Sequence, residues 1–295
     1  MTAAEGRGRM TLADGRVLAY ADIGPPSGVP VVYCHGFPSS SYEARLMAPA
    51  LAAQGVRLIA PDRPGYGESS PLPGRTLAGF AGDVAALLDT LGIARAAVIG
   101  VSGGGPYALA LLACTPDRIG PGALVAALGP PAALAAARAD FFPLVRGALH
   151  LAQIAPALAP VMARPIVHAL RLNWGLRLGM RLSAPADRAI LADPAVLKVL
   201  MSAQRMGLAQ GGEAAVQDLL LYVRPWDFPL TAIQAACTLW HGTCDRIVPP
   251  AVATALAGLL PQACLRLVPG EGHYSLPIRH RLAIMNTLMA HVRGS

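Results

Sequence analysis

The sequence predicts an α/β protein with a doubly wound, mostly parallel sheet and an inserted helical segment. Short apolar runs bounded by turn residues, the pattern of buried strands, recur along the chain. Between them lie stretches with apolar residues at helical spacing, and strands that alternate with helices build parallel sheets. The alternation stops near Pro130 and resumes after Pro229, leaving about a hundred residues rich in Ala, Leu, Arg and Met, broken by prolines and without a convincing strand.

Taken in order, Thr11 to Asp22 ("TLADGRVLAYAD") reads as a hairpin, with Asp14-Gly15 at the turn and Val17, Ala19 and Ala21 on the face opposite Leu18 and Tyr20. Val31 to Cys34 is a buried strand running into "HGFPSS". Met47 to Gln54 is helical in composition and is stopped by Gly55; the run from Val56 ("VRLIAPD") is the next strand and ends in the turn-rich "RPGYGESS". Thr76 to Leu91 places Phe80, Val84, Leu87, Leu88 and Leu91 at helical spacing and is closed by Gly92. "ARAAVIGVS" is a strand, Gly104 to Cys114 a helix, and "GALVAALG" from Gly122 a strand. Beyond the insertion, Cys237 to Gly242 is a strand, Pro250 to Leu260 a helix, Cys264 to Gly270 a strand and Pro277 to Val292 the last helix. Residues 1–129 and 230–295 are therefore expected to form one core, with 130–229 inserted into it.

A chain of 295 residues can bury a sizeable core as a single enzyme-sized unit. It is 54% hydrophobic and 14% charged. Typical soluble domains run at about 45–50% and about 25%. The formal charge of +7 comes almost wholly from arginine, Lys198 being the only lysine. Arg164, Arg171, Arg177 and Arg181 are spread among apolar residues, the pattern of a solvated helix face rather than a phosphate-binding stripe, so nucleic acid is not an expected partner. Five cysteines (Cys34, Cys114, Cys237, Cys244, Cys264) form no CxxC pair, which argues against a disulfide framework and a zinc site; buried reduced thiols are expected. "MTAAEGRGRM" has no apolar signal region, and the longest charge-free stretch of the middle, Gly147 to Ala163, holds Pro156 and Pro160. A cytoplasmic protein without stable membrane insertion is the expectation.

Chemistry concentrates at "IGVSGGGPYALA", residues 99–110. Ser102 ends a predicted strand and precedes a predicted helix, and Gly100, Ser102 and Gly104 spell G-x-S-x-G in that context. A serine held at so sharp a turn needs neighbours without side chains, and the helix behind it offers free N–H groups to a developing anion. Because a serine hydroxyl is a poor nucleophile at neutral pH, the rest of the chain must supply a base and a group that orients it. Asp245, in "HGTCDRIVP", and His273, in "GEGHYSLP", each follow a predicted strand, where open α/β sheets build their sites. The order Ser102, Asp245, His273 matches that of one known fold. His150, His168, His280 and His291 lie in helical stretches, and His35 and His241 precede glycines at strand ends; none offers a better partner for Ser102.

Together "HGFP" (35–38), "DRPGYGES" (62–69), "GVSGGG" (100–105), "HGTCDRIVP" (241–249) and "GEGHYSLP" (270–277) closely resemble the α/β-hydrolase superfamily over all of the chain except the insertion. The resemblance implies an eight-stranded sheet with helices on both faces, a helical cap at about residues 130–229, and Ser102, Asp245 and His273 as a catalytic triad. It also implies an oxyanion hole made by the backbone N–H groups of Phe37 and Gly103, each donor being worth roughly 3 kcal/mol in the transition state. Dehalogenases and epoxide hydrolases of the superfamily carry aspartate at the elbow, where Ser102 stands here. "DRPGYGES" lacks a following GKS or GKT and is read as a structural turn.

The expected activity is that of a serine hydrolase working through an acyl-enzyme on small to medium apolar esters, with no metal or organic cofactor. C–C bond hydrolysis, lactone cleavage, perhydrolysis and a weakly catalytic ligand receptor are the alternatives the same residues allow. Apolar residues from Leu144 to Met180, among them Ile154, Leu158 and Val161, exceed what the cap helices can bury on their own, so part of that surface should meet the core or a ligand. Trp174, Tyr107 and Tyr274 are candidate pocket walls, and the cap is also compatible with a homodimer.

Overall fold

The computed structural model describes residues 5–158, 161 and 183–294. Its sheet has eight strands: β1 (Glu5–Thr11), β2 (Val17–Ile23), β3 (Val29–Cys34), β4 (Val56–Pro61), β5 (Ala96–Val101), β6 (Ile119–Val125), β7 (Cys237–Gly242) and β8 (Ala263–Val268). They lie in the order β1-β2-β4-β3-β5-β6-β7-β8, antiparallel where β2 meets β1 and β4 and parallel from β4 onward.

The central strands are apolar throughout because both faces are covered. Alternate residues point to opposite sides. Val32, Cys34, Ile59, Val98, Leu124 and Leu239 enter one buried cluster with helices α2 (Leu77–Thr90) and α3 (Gly105–Cys114). Val31, Tyr33, Leu58, Ala60, Ile99 and Val125 enter the other, under α1 (Ala48–Gln54) and the C-terminal helix. Thr76 caps α2 by accepting from the Gly79 N–H at 3.0 Å.

Between β6 and β7 the described residues carry helices and no strand: α4 (Pro131–Ala136), α5 (Pro143–Ile154), α6 (Pro185–Leu191), α7 (Pro194–Gly207) and α8 (Glu213–Val223). After β7 come α9 (Pro250–Ala257), α10 (Ser275–Arg279) and α11 (Arg281–Gly294). None of the described helices is long and apolar enough to cross a membrane. Ile154, Leu158 and Val161 are 64%, 57% and 61% exposed, while Leu149 packs on the core. Met162, Ile166, Leu170, Trp174, Leu176 and Met180, together with His168 and the four arginines from Arg164 to Arg181, lie outside the described residues.

Several boundaries differ from the sequence reading. β1 begins at Glu5, although "EGRGRMT" has no apolar alternation; its full ladder to β2 supplies what its side chains do not. β6 starts at Ile119 rather than Gly122, because Pro121 is accommodated where the β5–β6 register shifts between Ala96 and Val98. The last helix is two, broken at His280. Finally, Cys114, Cys244 and Cys264 are exposed and only Cys34 and Cys237 are buried; all five are free. Apolar composition around a cysteine did not translate into burial on the outer surface of α3 and on the edge strand β8.

Candidate active site

Ser102 follows the last residue of β5 and sits at φ 52°, a left-handed conformation rare for a residue with a side chain. The glycines around it make this turn possible. A Cβ at Gly104 would run into the Cys34 and His35 carbonyls, and one at Gly100 would meet Ala108 Cβ at 2.6 Å. The neighbouring strand and helix therefore close directly on bare backbone.

The three residues brought together from distant parts of the sequence meet at the carboxyl ends of β5, β7 and β8. His273 Nδ1–H donates to Asp245 Oδ2 at 2.7 Å, and the Ser102 hydroxyl donates to His273 Nε2 at 2.9 Å. A carboxylate can only accept, so Asp245 fixes the proton on Nδ1 and leaves Nε2 free to take one. Asp245 is also a turn residue: its Oδ1 accepts from the N–H groups of Ile247 and Val248, both at 2.9 Å. One carboxylate thus shapes its own loop and orients the imidazole. Burial disfavours the Asp245 anion, yet His273 and His241 more than offset it, and its pKa lies well below the usual carboxylate range. Burial likewise opposes the His273 imidazolium, but the charge and hydrogen bond of Asp245, with smaller contributions from Asp187 and Glu43, hold its pKa above an ordinary histidine's.

A cleft partly open to solvent lies over Ser102 and His273. Phe37 and Tyr274 line it, as do Leu200 and Gln204 of α7. Phe37 lies against Gly103: a Cβ added to Gly103 would fall 2.5 Å from Phe37 Cβ. The backbone after β3 and the residue after Ser102 therefore border the same spot. Of the other candidate walls, Tyr107 is fully buried away from the cleft, edge-on to Phe80 with its hydroxyl on Asp218, and Trp174 lies outside the described residues. Among the described residues, no group of three or more His, Cys, Asp or Glu side chains could hold a metal ion.

Comparison with known proteins agrees with this fold. A family profile described as alpha/beta hydrolase fold matches residues 29–167. A thermophilic esterase from Thermogutta terrifontis superposes with a TM-score of 0.70 at 24% identity, over 97% of this chain and 99% of that one. The chain has the α/β-hydrolase fold. A non-heme chloroperoxidase of Streptomyces lividans is 38% identical over 125 residues, 42% of this chain and 45% of that protein. Epoxide hydrolase B of Mycobacterium tuberculosis is 40% identical over 107 residues, 35% of this chain and 30% of that one. These matches span less than half the length of the curated relatives.

Three carboxylates that sequence reasoning passed over support this site. Asp187, in the first turn of α6, accepts from three successive N–H groups of the histidine loop: His273 at 3.0 Å, Tyr274 at 2.9 Å and Ser275 at 2.8 Å. The absent side chain of Gly272 leaves room for it, since a Cβ there would overlap the Asp187 carboxylate. Asp218 on α8 is fully buried and takes Arg63, Arg75 and the hydroxyls of Tyr66 and Tyr107. Arg63 also donates to the His35 and Gly36 carbonyls at 2.6 and 2.8 Å, and Tyr222 donates to the Gly103 carbonyl at 2.9 Å. Buried charge therefore clamps both loops that flank Ser102. Glu43 is the third, inside the cleft itself. "DRPGYGES" does form a turn, and its Asp62 and Arg63 tie that turn to the loop after β3, Asp62 through the Ser41 N–H at 2.6 Å. His35 is fully buried; burial and then the Arg63 charge push its pKa well down, and it serves the loop rather than Ser102.

Proposed function

We propose that the protein is a serine hydrolase acting through an acyl-enzyme on small to medium carboxylic esters. The observation that carries this reading is the continuous hydrogen-bond chain from the Ser102 hydroxyl through His273 to buried Asp245. Ser102 Oγ attacks the acyl carbon while its proton passes to His273 Nε2, and the carbonyl π electrons move to oxygen to give a tetrahedral oxyanion. The Phe37 and Gly103 N–H groups, with the N-terminus of α3 behind them, are the donors assigned to that oxyanion. Collapse expels the alcohol, which takes the proton from His273; water, activated by the same imidazole, then releases the acid. Direct attack by a carboxylate is not part of this reading, because the elbow residue is a serine. Residues 1–129 and 230–295 are the catalytic core in this account and 130–229 the cap, whose α7 contributes Leu200 and Gln204 to the cleft. Five free thiols support a reducing, cytoplasmic setting.

The test is a panel of p-nitrophenyl acetate, butyrate, hexanoate and dodecanoate beside lactones, amides and meta-cleavage-type diketones, with Ser102→Ala as blank. Turnover that peaks at butyrate or hexanoate supports the reading. Exclusive turnover of a diketone or lactone would replace it.

The raised pKa of His273 sets the pH dependence. Attack needs the neutral imidazole, and a raised pKa keeps the ring protonated to higher pH, so the acid limb of kcat/KM should have its midpoint above 6.5. In Asp245→Asn the carboxylate charge is gone and burial dominates, so that midpoint should fall while kcat drops by about 10⁴-fold. Rate profiles from pH 5 to 9 read both. For Asp187→Asn, the new NH₂ group must face N–H donors, which tilts the histidine loop. A displacement on the order of 1 Å costs up to about 10²-fold in kcat. KM for p-nitrophenyl butyrate should change little, because Asp187 does not line the cleft.

A further inference from the structure

We propose that Glu43 is a substrate-binding carboxylate that selects esters carrying a cationic ammonium group; this rests on the serine-hydrolase reading and narrows its substrate. Glu43 lies in the helical turn Ser41–Met47 behind β3, is only 7% exposed, and lines the cleft together with Ser102 and His273. Its two oxygens are used unequally. Oε1 accepts from the Tyr33 hydroxyl at 2.8 Å and from the Gly36 N–H at 3.0 Å, whereas Oε2 has no hydrogen-bond partner among the described residues.

The fold needs only the first oxygen. A neutral glutamine carbonyl could accept both of those bonds, so neither the negative charge nor the second oxygen is explained by holding the loop. A carboxylate held this deep keeps little solvation, which hydrogen-bond donors or an opposite charge can replace. The described lining of the cleft contains no lysine or arginine. Arg63, which reaches the Gly36 carbonyl, is paired with Asp218. Of the described lining only His273 can carry a positive charge, and Glu43 helps to hold its pKa up; a cationic ligand would supply a further counter-charge. Phe37 and Tyr274 add aromatic surface to the same cleft, and ring faces attract cations. The chain carries +7 overall, so an anionic cleft is not a by-product of an acidic composition. The position also bears on the reaction. Gly36 immediately precedes Phe37, and an anion beside the oxyanion donor would oppose the charge building on the substrate oxygen. A cationic substrate cancels that penalty.

The experiment compares butyrylcholine with 3,3-dimethylbutyl butyrate, which replaces the quaternary nitrogen with carbon at nearly constant shape. Wild type should favour the cation by about tenfold or more in kcat/KM, a preference that falls as ionic strength rises. In Glu43→Gln the ratio should collapse toward one, and in Glu43→Asp, which keeps the charge, it should stay above one. Equal rates on the two esters in wild type, or a preference that survives Glu43→Gln, would overturn the proposal. Titration calorimetry of both esters into Ser102→Ala reads the same ratio without turnover. Cation-selective binding there, with neither ester hydrolysed by wild type, would refute the hydrolase reading and keep the binding site; equal or absent binding would remove the site.

Discussion

Ser102→Ala is expected to lower kcat on the best ester of the panel by about 10⁴- to 10⁶-fold while the folded protein persists. The loss is large because the substitution removes the atom that forms the covalent bond, and His273 and Asp245 then have no hydroxyl to activate. Whatever rate remains comes from the cleft and the backbone donors alone. The effect should not add to that of His273→Ala, since the hydroxyl and the imidazole at 2.9 Å act as one unit and either change disables both. Steady-state rates of the two single variants and of the double variant test this. The double variant should be no slower than the slower single one. Stability should change little in Ser102→Ala, which gives up one hydrogen bond to His273 and keeps the positive φ at 102.

Asp218→Ala is expected to produce the largest loss of stability, about 3–5 kcal/mol, with a fall in Tm of roughly 10 °C. Arg63 and Arg75 are both buried against this one carboxylate, and the substitution leaves two cations without an anion in the interior. Arg63 Nε and Arg75 Nε already lack partners, so the guanidinium groups have little to fall back on. The hydroxyls of Tyr66 and Tyr107 lose their acceptor as well. Activity should fall with stability, because Arg63 holds the carbonyls of His35 and Gly36, and Tyr222 holds that of Gly103. Denaturant unfolding followed by circular dichroism reads the first effect. A loss below about 1 kcal/mol would mean that the cluster is solvated in a way its burial does not suggest.

How much of this was legible in the sequence depended on how local each signal is. The elbow was readable because its cause lies within a few residues: Gly100 and Gly104 are glycines for the steric reasons that put Ser102 at positive φ. Asp245 and His273 could be paired with it because each follows its own strand and parallel sheets gather strand ends on one side. Asp187 could not be found this way. It sits 86 residues before His273 in a helical stretch of unremarkable composition, and its role exists only once α6 packs against the histidine loop. Asp218 and Tyr222 carry no local signal of their own; only in the fold do they face inward at i and i+4 on α8, where Asp218 meets arginines from the loop after β4. Tyr107 was misplaced for the opposite reason: α3 is buried almost all round, so closeness to Ser102 in sequence did not make a cleft wall. Glu43 follows "HGFP" in a serine-rich turn that reads as an ordinary surface cap, and only the packing of that turn against β3 turns its carboxylate into the cleft.

The central claim is that Ser102 is the nucleophile, activated by His273. It is tested most directly by treating the protein with a fluorophosphonate and mapping the adduct by peptide mass spectrometry. The account predicts a single phosphonylated peptide containing Ser102, formed fastest above the pKa of His273 and absent in Ser102→Ala and His273→Ala. An adduct on another residue, or an unlabelled wild-type protein that is otherwise folded, would contradict it.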